Sequence, residues 1–308
     1  MTYYIGLDAH ASTSTAVVIN ESGKVVCRQT FTTSEKNLVG FLKRLEGKKK
    51  LTFEESHLSQ WLYLIFKDRV DELIVCNPVY LAKKQGCKTD LRDAHHLARE
   101  LRGGHLVGVY HDSSHWTRLR VLVSGYMDIV GEIAKSKCRL KALFRSEAID
   151  TSATQFYKMR ERTDELSHDQ ARFVAENFFD QIEYLERQKL QYKDWLRKNS
   201  KKYRPIRNLK TIPGINDIRA NIIAAVVCMP HRFKSKHQFW GYCMLVRHIE
   251  SSGGKIYGNK KINGRAELKA IFLGAAENAL RGCSSLRDYY DAQRARGVKH
   301  RQAKIALA

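Results

Sequence analysis

Short apolar, β-branched runs separated by turn residues open the chain, and each has the length of a strand. Tyr3 to Leu7 is the first, Thr13 to Ile19 the second and Val25 to Thr33 the third. Glu21-Ser-Gly23 turns the chain before the third. Two hairpins in succession predict an antiparallel meander. The period then lengthens. Ser34 stands where a helix N-cap belongs, and Leu38, Phe41, Leu42 and Leu45 fall on one face of the helix that follows. A strand at Leu51 to Phe53 and a helix around Leu58 to Phe66 come next. A strand at Glu72 to Cys76, ended by Asn77-Pro78, and a helix from Asp90 to about Leu101 complete the region. Three strands followed by alternating helix and strand is the order of an RNase H-like sheet, and other α/β sheets share it.

From Trp116 to Lys201 the apolar spacing is three-four. Leu119, Leu122, Tyr126, Ile129, Ile133, Ser136, Leu140 and Leu143 predict one coiled-coil seam. Ala171, Val174, Phe178, Ile182, Leu185, Tyr192 and Leu196 predict a second. A polar stretch, Ser146 to Ser167, separates them. The two long helices therefore fold back as a hairpin, pair with another subunit, or form part of a plain helical bundle. From Tyr203 the elements are short. Thr211-Ile-Pro-Gly-Ile215 is a turn, Ile218 to Val227 an apolar helix, and Ser235 a cap for a helix through Trp240. Ser251-Ser-Gly-Gly254 reads as a loop or tight turn, and Ala266 to Leu280 as a helix. The last residues, Lys304 to Ala308, read as helix still in progress. Three regions result: an α/β domain over 1–112, a helical coiled-coil hairpin over 113–202 and a small, mostly α domain over 203–308.

Charge changes the picture from fold to partner. Fifty-four Lys and Arg oppose 32 Asp and Glu, a net charge of +22 on 308 residues. Such a surplus draws polyanions and speeds encounter with them. The 43% hydrophobic content allows real cores, unlike a purely basic tail. Seven scattered cysteines with no CxxC pair argue against a disulfide framework or zinc site and fit a reducing cytoplasm. MTYYIGLDAH lacks the basic and apolar regions of a signal peptide. No apolar run approaches the roughly 20 residues of a membrane span.

Candidate chemistry is carboxylate chemistry. Asp8 ends the first strand, as a turn-former or a metal ligand. Glu54 ends Leu51-Thr-Phe53, with Glu55 beside it pointing elsewhere. Asp90 and Asp93 in Lys88-Thr-Asp-Leu-Arg-Asp-Ala94 are three apart at a helix start and share a face. Acids there also suit the helix N-terminus alone. Like charges this close repel unless a cation lies between them. Four hard oxygen ligands point to Mg²⁺ or Mn²⁺, and two such ions would clamp the attacking and leaving oxygens of a phosphodiester. His10, His95 and His96 sit nearby, and surface solvation explains most such histidines. Lys234, Lys236, Arg247, Lys255, Lys260, Lys261 and Arg265 are candidate nucleic-acid contacts, or simply a solvated basic face.

In order along the chain these motifs resemble one family. Ile5-Gly-Leu-Asp8-Ala-His10, Thr52-Phe-Glu54-Glu-Ser and Lys88-Thr-Asp90-Leu-Arg-Asp93-Ala94 are similar to the acidic motifs of DEDD-type insertion-sequence transposases. Those transposases are guided by a structured non-coding RNA and related to pilin-gene inverting recombinases. Ile212-Pro-Gly-Ile215, Arg232-Phe-Lys234 and Ser251-Ser252-Gly-Gly254 resemble the same family's C-terminal domain. The resemblance implies an RNase H-like domain of the Holliday-junction-resolvase type, a helical hairpin and a transposase domain. It implies that Asp8, Glu54, Asp90 and Asp93 hold divalent metal and that Ser252, rather than Ser251, becomes joined to DNA. Donor and target DNA, a guide RNA and a dimeric or tetrameric assembly are the implied partners. Glu55 and His57 stand where relatives carry a small residue and a glycine. A junction-resolving nuclease using water, or a basic binding protein descended from a recombinase, are the competing expectations.

Overall fold

The computed structural model describes residues 1–81, 89–246, 248–260, 264–282 and 284–308, with backbone alone at 248–250 and 259–260. The chain forms two compact units, Met1–Ser113 and Ser114–Ala308.

In the first unit the elements run β1 (Thr2–Ala9), β2 (Thr13–Ile19), β3 (Val25–Thr32), α1 (Glu35–Lys43), β4 (Lys48–Glu54), α2 (Ser59–Phe66), β5 (Glu72–Cys76) and α3 (Asp90–Gly103). The strands form one sheet in the order β3-β2-β1-β4-β5. β1, β2 and β3 pair antiparallel, as the meander predicts, whereas β1–β4 and β4–β5 are parallel. Every second residue of β3 is exposed, as befits an edge strand. Ser34 caps α1 by accepting from the Asn37 amide, and Leu38, Phe41 and Leu42 are buried as the period requires.

Strand parity divides the sheet's side chains between two faces. Ile5, Leu7, Ala16, Val18, Leu51 and Phe53 enter one core with Leu38 and Phe41 of α1 and Leu62 and Phe66 of α2. On the other face Val17 and Ile19 pack against Ala94 and Ala98 of α3. Gly6 makes that second packing possible. A Cβ at this position would collide with the Ala94 carbonyl oxygen and lie 2.5 Å from the Ala98 amide nitrogen. Only a residue without a side chain lets the helix backbone rest on the strand.

The second unit begins with two long helices, α4 (His115–Ser146) and α5 (Asp169–Lys202). They run antiparallel. Ser136 Oγ donates to Gln181 Oε1 at 3.1 Å, the Lys137 ammonium meets Glu186 at 3.0 Å, and Gly125 faces the Tyr192 ring. The buried stripe of α4 includes Val123 and Phe144, where the sequence spacing favours Leu122 and Leu143, which are only partly buried. On α5 the buried apolar residues are Ala175, Phe179, Ile182, Leu185 and Leu196, while Val174 is 40% exposed. The expected stripe holds at Ile182, Leu185 and Leu196 and is one residue out of phase at Val174 and Phe178, where Ala175 and Phe179 are buried instead. Its fixed three-four repeat drifts against the helix's 3.6-residue turn, and a small alanine faces the core in place of a valine.

The polar connector is not an open loop. Phe156 and Leu166 are fully buried with Leu140, Phe144 and Phe179, and the rings of Phe144 and Phe156 meet edge-on at 5.0 Å. The remaining elements are α6 (Arg204–Leu209), α7 (Asp217–Val227), α8 (Lys236–Tyr242), β6 (His248–Ser252), β7 (Lys255–Lys260), α9 (Ala266–Ala279), α10 (Ser285–Ala295) and α11 (His300–Leu307). α7 is apolar on nearly every side and packs against α4, α5, α6 and α9. Among the described residues no helix is long and apolar enough to cross a membrane.

Candidate functional site

β1 and β4 are neighbouring parallel strands, so their C-terminal ends emerge at the same edge of the sheet. Register pairs Leu7 with Phe53, and Asp8 and Glu54 are the next residue on each strand. Parity sends both toward the face that α3 covers, because Gly6 and Asp8 share a side and so do Thr52 and Glu54. Glu55 emerges on the other side, with α2. The structure thereby separates two adjacent glutamates that composition leaves equivalent.

α3 completes the constellation from above. Thr89 caps it by accepting from the Arg92 amide, and its first turn carries Asp90 and Asp93. Because Ala94 and Ala98 sit on Gly6, the preceding turn of the helix projects over the end of β1, where Asp8 lies. Asp90 is exposed, Asp93 is buried and Glu54 is intermediate. Opposite Asp8, Thr15 of β2 is buried, with its hydroxyl 3.0 Å from that of Thr30.

The tightest group is not the four carboxylates. Among the described residues, Asp8, His10 and Asp90 each offer a donor atom within 4.8 Å of the others. His10 Nε2 lies 3.6 Å from Asp8 Oδ1. The turn between β1 and β2 holds His10 in place: its amide donates to the Thr13 carbonyl at 2.9 Å, and its carbonyl accepts from the Thr33 hydroxyl at 2.7 Å. Glu54 and Asp93 stand outside this group, yet both act on Asp8. Burial pushes the Asp8 carboxyl above the usual carboxylate range, His10 opposes the shift, and Asp90, Asp93 and Glu54 each add to it. His95 and His96 are not in the group. Burial, then Arg99 and Arg28, hold the His95 imidazole below its ordinary value.

His10 received little weight in the sequence, although the signal was there. Residues two apart on a strand share a face, so Asp8-Ala-His10 already brings the imidazole to the acid's side.

Ser252 lies in the second unit, at the tip of the β6–β7 hairpin. The pair flanking the turn is Ser252 and Lys255, and both are exposed. Gly253 (φ 56°) and Gly254 (φ 76°) form a two-residue turn in which both positions need positive φ. Of the loop or tight turn expected here, the structure shows the tight turn, and it adds the strands on either side. Lys234, Lys236, Lys255 and Arg265 are exposed, with the Lys236 ammonium 5.5 Å from the centre of the Trp240 ring. Lys260 ends β7. Arg247 and Lys261 lie outside the described residues.

Two family models match the chain. Residues 5–148 match a DEDD transposase model of the IS110 type, and residues 206–291 match the transposase model of the IS116/IS110/IS902 family. The first spans the whole acidic site and the second spans Ser252. The protein is thus of the class that moves DNA segments, a transposase. Within that class the chain belongs to the IS110 family of DEDD transposases. No curated protein matches it.

Proposed function

We propose that this transposase cuts and rejoins DNA by phosphoryl transfer, with Asp8, Glu54, Asp90 and Asp93 holding two divalent ions, Mg²⁺ or Mn²⁺. The observation that carries this reading is the gathering of Asp8 and Asp90 with His10, inside the field of Glu54 and Asp93. Oxygen donors predominate, which suits either ion. A cluster in which three acids raise the pKa of a fourth has an excess of negative charge that a divalent cation would balance. When bound, such ions stabilise the attacking and leaving oxygens of a phosphodiester. Asp8 and Glu54 sit on rigid strand ends and Asp90 and Asp93 on the first turn of a helix, which suits a site that must be positioned before substrate arrives.

In this reading Ser252 is the nucleophile. Its Oγ forms a bond to phosphorus, the bond from phosphorus to the 3′ oxygen breaks, and the serine proton ends on the departing 3′ hydroxyl. The resulting phosphoserine preserves the phosphodiester for rejoining. Exposure at the tip of a hairpin, beside Lys255, supports access to a DNA backbone. Sheet order and the edge at which the acids gather support an RNase H-like domain of the resolvase type. The remaining proposals are three regions at 1–112, 113–202 and 203–308, a coiled-coil hairpin in the second, and a dimer or tetramer in the cytoplasm. The resemblance adds a structured guide RNA for target choice.

The test is a denaturing gel of the protein with labelled donor DNA, RNA and Mg²⁺. A covalent protein–DNA adduct is expected, absent in both Ser252→Ala and Asp8→Asn. Cleavage that survives Ser252→Ala without an adduct would identify a water-using nuclease. DNA that is bound but neither cut nor joined to the wild-type protein would leave only a binding protein.

A further inference from the structure

The turn after Glu54 is fastened at several points. The Glu55 amide donates to the Cys76 carbonyl at 2.9 Å. The Ser59 hydroxyl accepts from the Ser56 amide at 2.6 Å and donates to the Glu54 carbonyl at 3.4 Å. On the side away from the acids, the Glu55 carboxylate lies 2.7 Å from Nε2 of His111. The chain reaches His111 alongside β5: the Asn77 amide donates to the Val107 carbonyl at 2.9 Å and the Val109 amide to the Val75 carbonyl at 2.7 Å.

Gln60 of α2 holds the other side of the ring. Its Nε2 donates to the Asp112 carbonyl at 2.9 Å, which turns its Oε1 toward His111 Nδ1 at 3.0 Å. The imidazole therefore sits between a carboxylate and an amide oxygen. Only 4% of its side chain is exposed, and the Tyr63 ring lies 5.5 Å away. A buried ring gripped at both nitrogens holds one orientation. No step of the transfer reaction uses it.

We infer that His111 is a positioning residue for Glu54, acting through Glu55. Residues 54 and 55 share a peptide plane, and their side chains leave it in opposite directions. Fixing the Glu55 carboxylate on the α2 side fixes the plane and with it the direction of Glu54 toward Asp8. The same grip keeps Glu55 from competing with Glu54 at the cluster. The inference rests on Glu54 being a ligand, as proposed above.

Groups that orient metal ligands typically change affinity by about 10–100-fold when removed. Mn²⁺ binding to the full-length protein, measured by titration calorimetry, should weaken roughly tenfold or more in His111→Ala and in Glu55→Ala. His111→Gln keeps a donor for Glu55 and should recover most of the affinity. DNA cleavage by His111→Ala should return toward the wild-type rate at high Mn²⁺, because every ligand is still present. A merely structural role would lower the unfolding temperature and leave Mn²⁺ affinity unchanged in the folded variant, and that result would overturn the inference. Should His111→Ala fail to fold, Glu55→Ala and His111→Gln carry the same comparison. Asp8→Asn and Glu54→Gln separate the two levels. If neither weakens Mn²⁺ binding, the metal reading itself fails. If both do and the His111 and Glu55 variants do not, only the positioning role is lost.

Discussion

Asp8 carries an electrostatic conflict that the rest of its surroundings does not resolve. It is partly buried, three carboxylates raise its pKa, and His10 alone among the named charges opposes them. A carboxyl whose folded pKa lies above its unfolded value costs stability once it ionises. The cost is absent in acid, below the unfolded pKa near 4, and grows as pH rises through the folded value. Asp8→Asn should therefore raise the unfolding temperature at pH 7 without divalent ions, and the difference from wild type should shrink as pH falls toward 4. Adding Mn²⁺ should stabilise wild type more than the variant. Calorimetric scans with and without the ion check both statements. Much of this site was legible from residue identity and strand parity: Asp8 and Glu54 as strand ends, Asp90 and Asp93 as a helical pair. The sequence favoured Glu54 over Glu55 through the resemblance, and pairing register adds which face each takes. His111 could not be found at all, because it lies 56 residues from its partner and only the fold brings them together.

Elements set how far those residues can be trusted to stay in place. α3 rests on β1 through Gly6, so Gly6→Ala should lift the helix, cost about 1–3 kcal/mol and impair DNA cleavage together with stability. Denaturant unfolding and a cleavage assay measure the two effects. The α/β elements were readable because strand and helix periods alternate cleanly over Tyr3 to Leu101. Two other elements were not. Ser146 to Ser167 looks polar, yet Phe156 and Leu166 are enough to anchor it in the core between α4 and α5. Phe156→Ala should cost about 3–5 kcal/mol. Val174→Ala, at a position whose spacing suggested burial, should stay within about 0.5 kcal/mol. Urea titrations of the two variants distinguish these outcomes. The β6–β7 hairpin was hidden because Ser251-Ser-Gly-Gly254 contains its turn, and short polar strands carry no apolar alternation to betray them.

At the scale of the whole molecule, charge and family agree. A transposase with a net charge of +22 is expected to meet DNA largely through phosphates. Six to ten such contacts would weaken binding by roughly 10³–10⁵ between 50 and 200 mM salt. Fluorescence anisotropy with a labelled duplex across that range should show so steep a fall, and a shallow dependence would assign the surplus charge elsewhere. The acidic cluster stands against this net positive charge, and holding cations is the role proposed for it. Crystals of the protein grown with Mn²⁺ test that role most directly, through anomalous scattering. A peak bounded by carboxylate oxygens of Asp8 and Asp90 is the expected result. Featureless anomalous density there, in protein that recombines DNA under the same Mn²⁺ concentration, would contradict it.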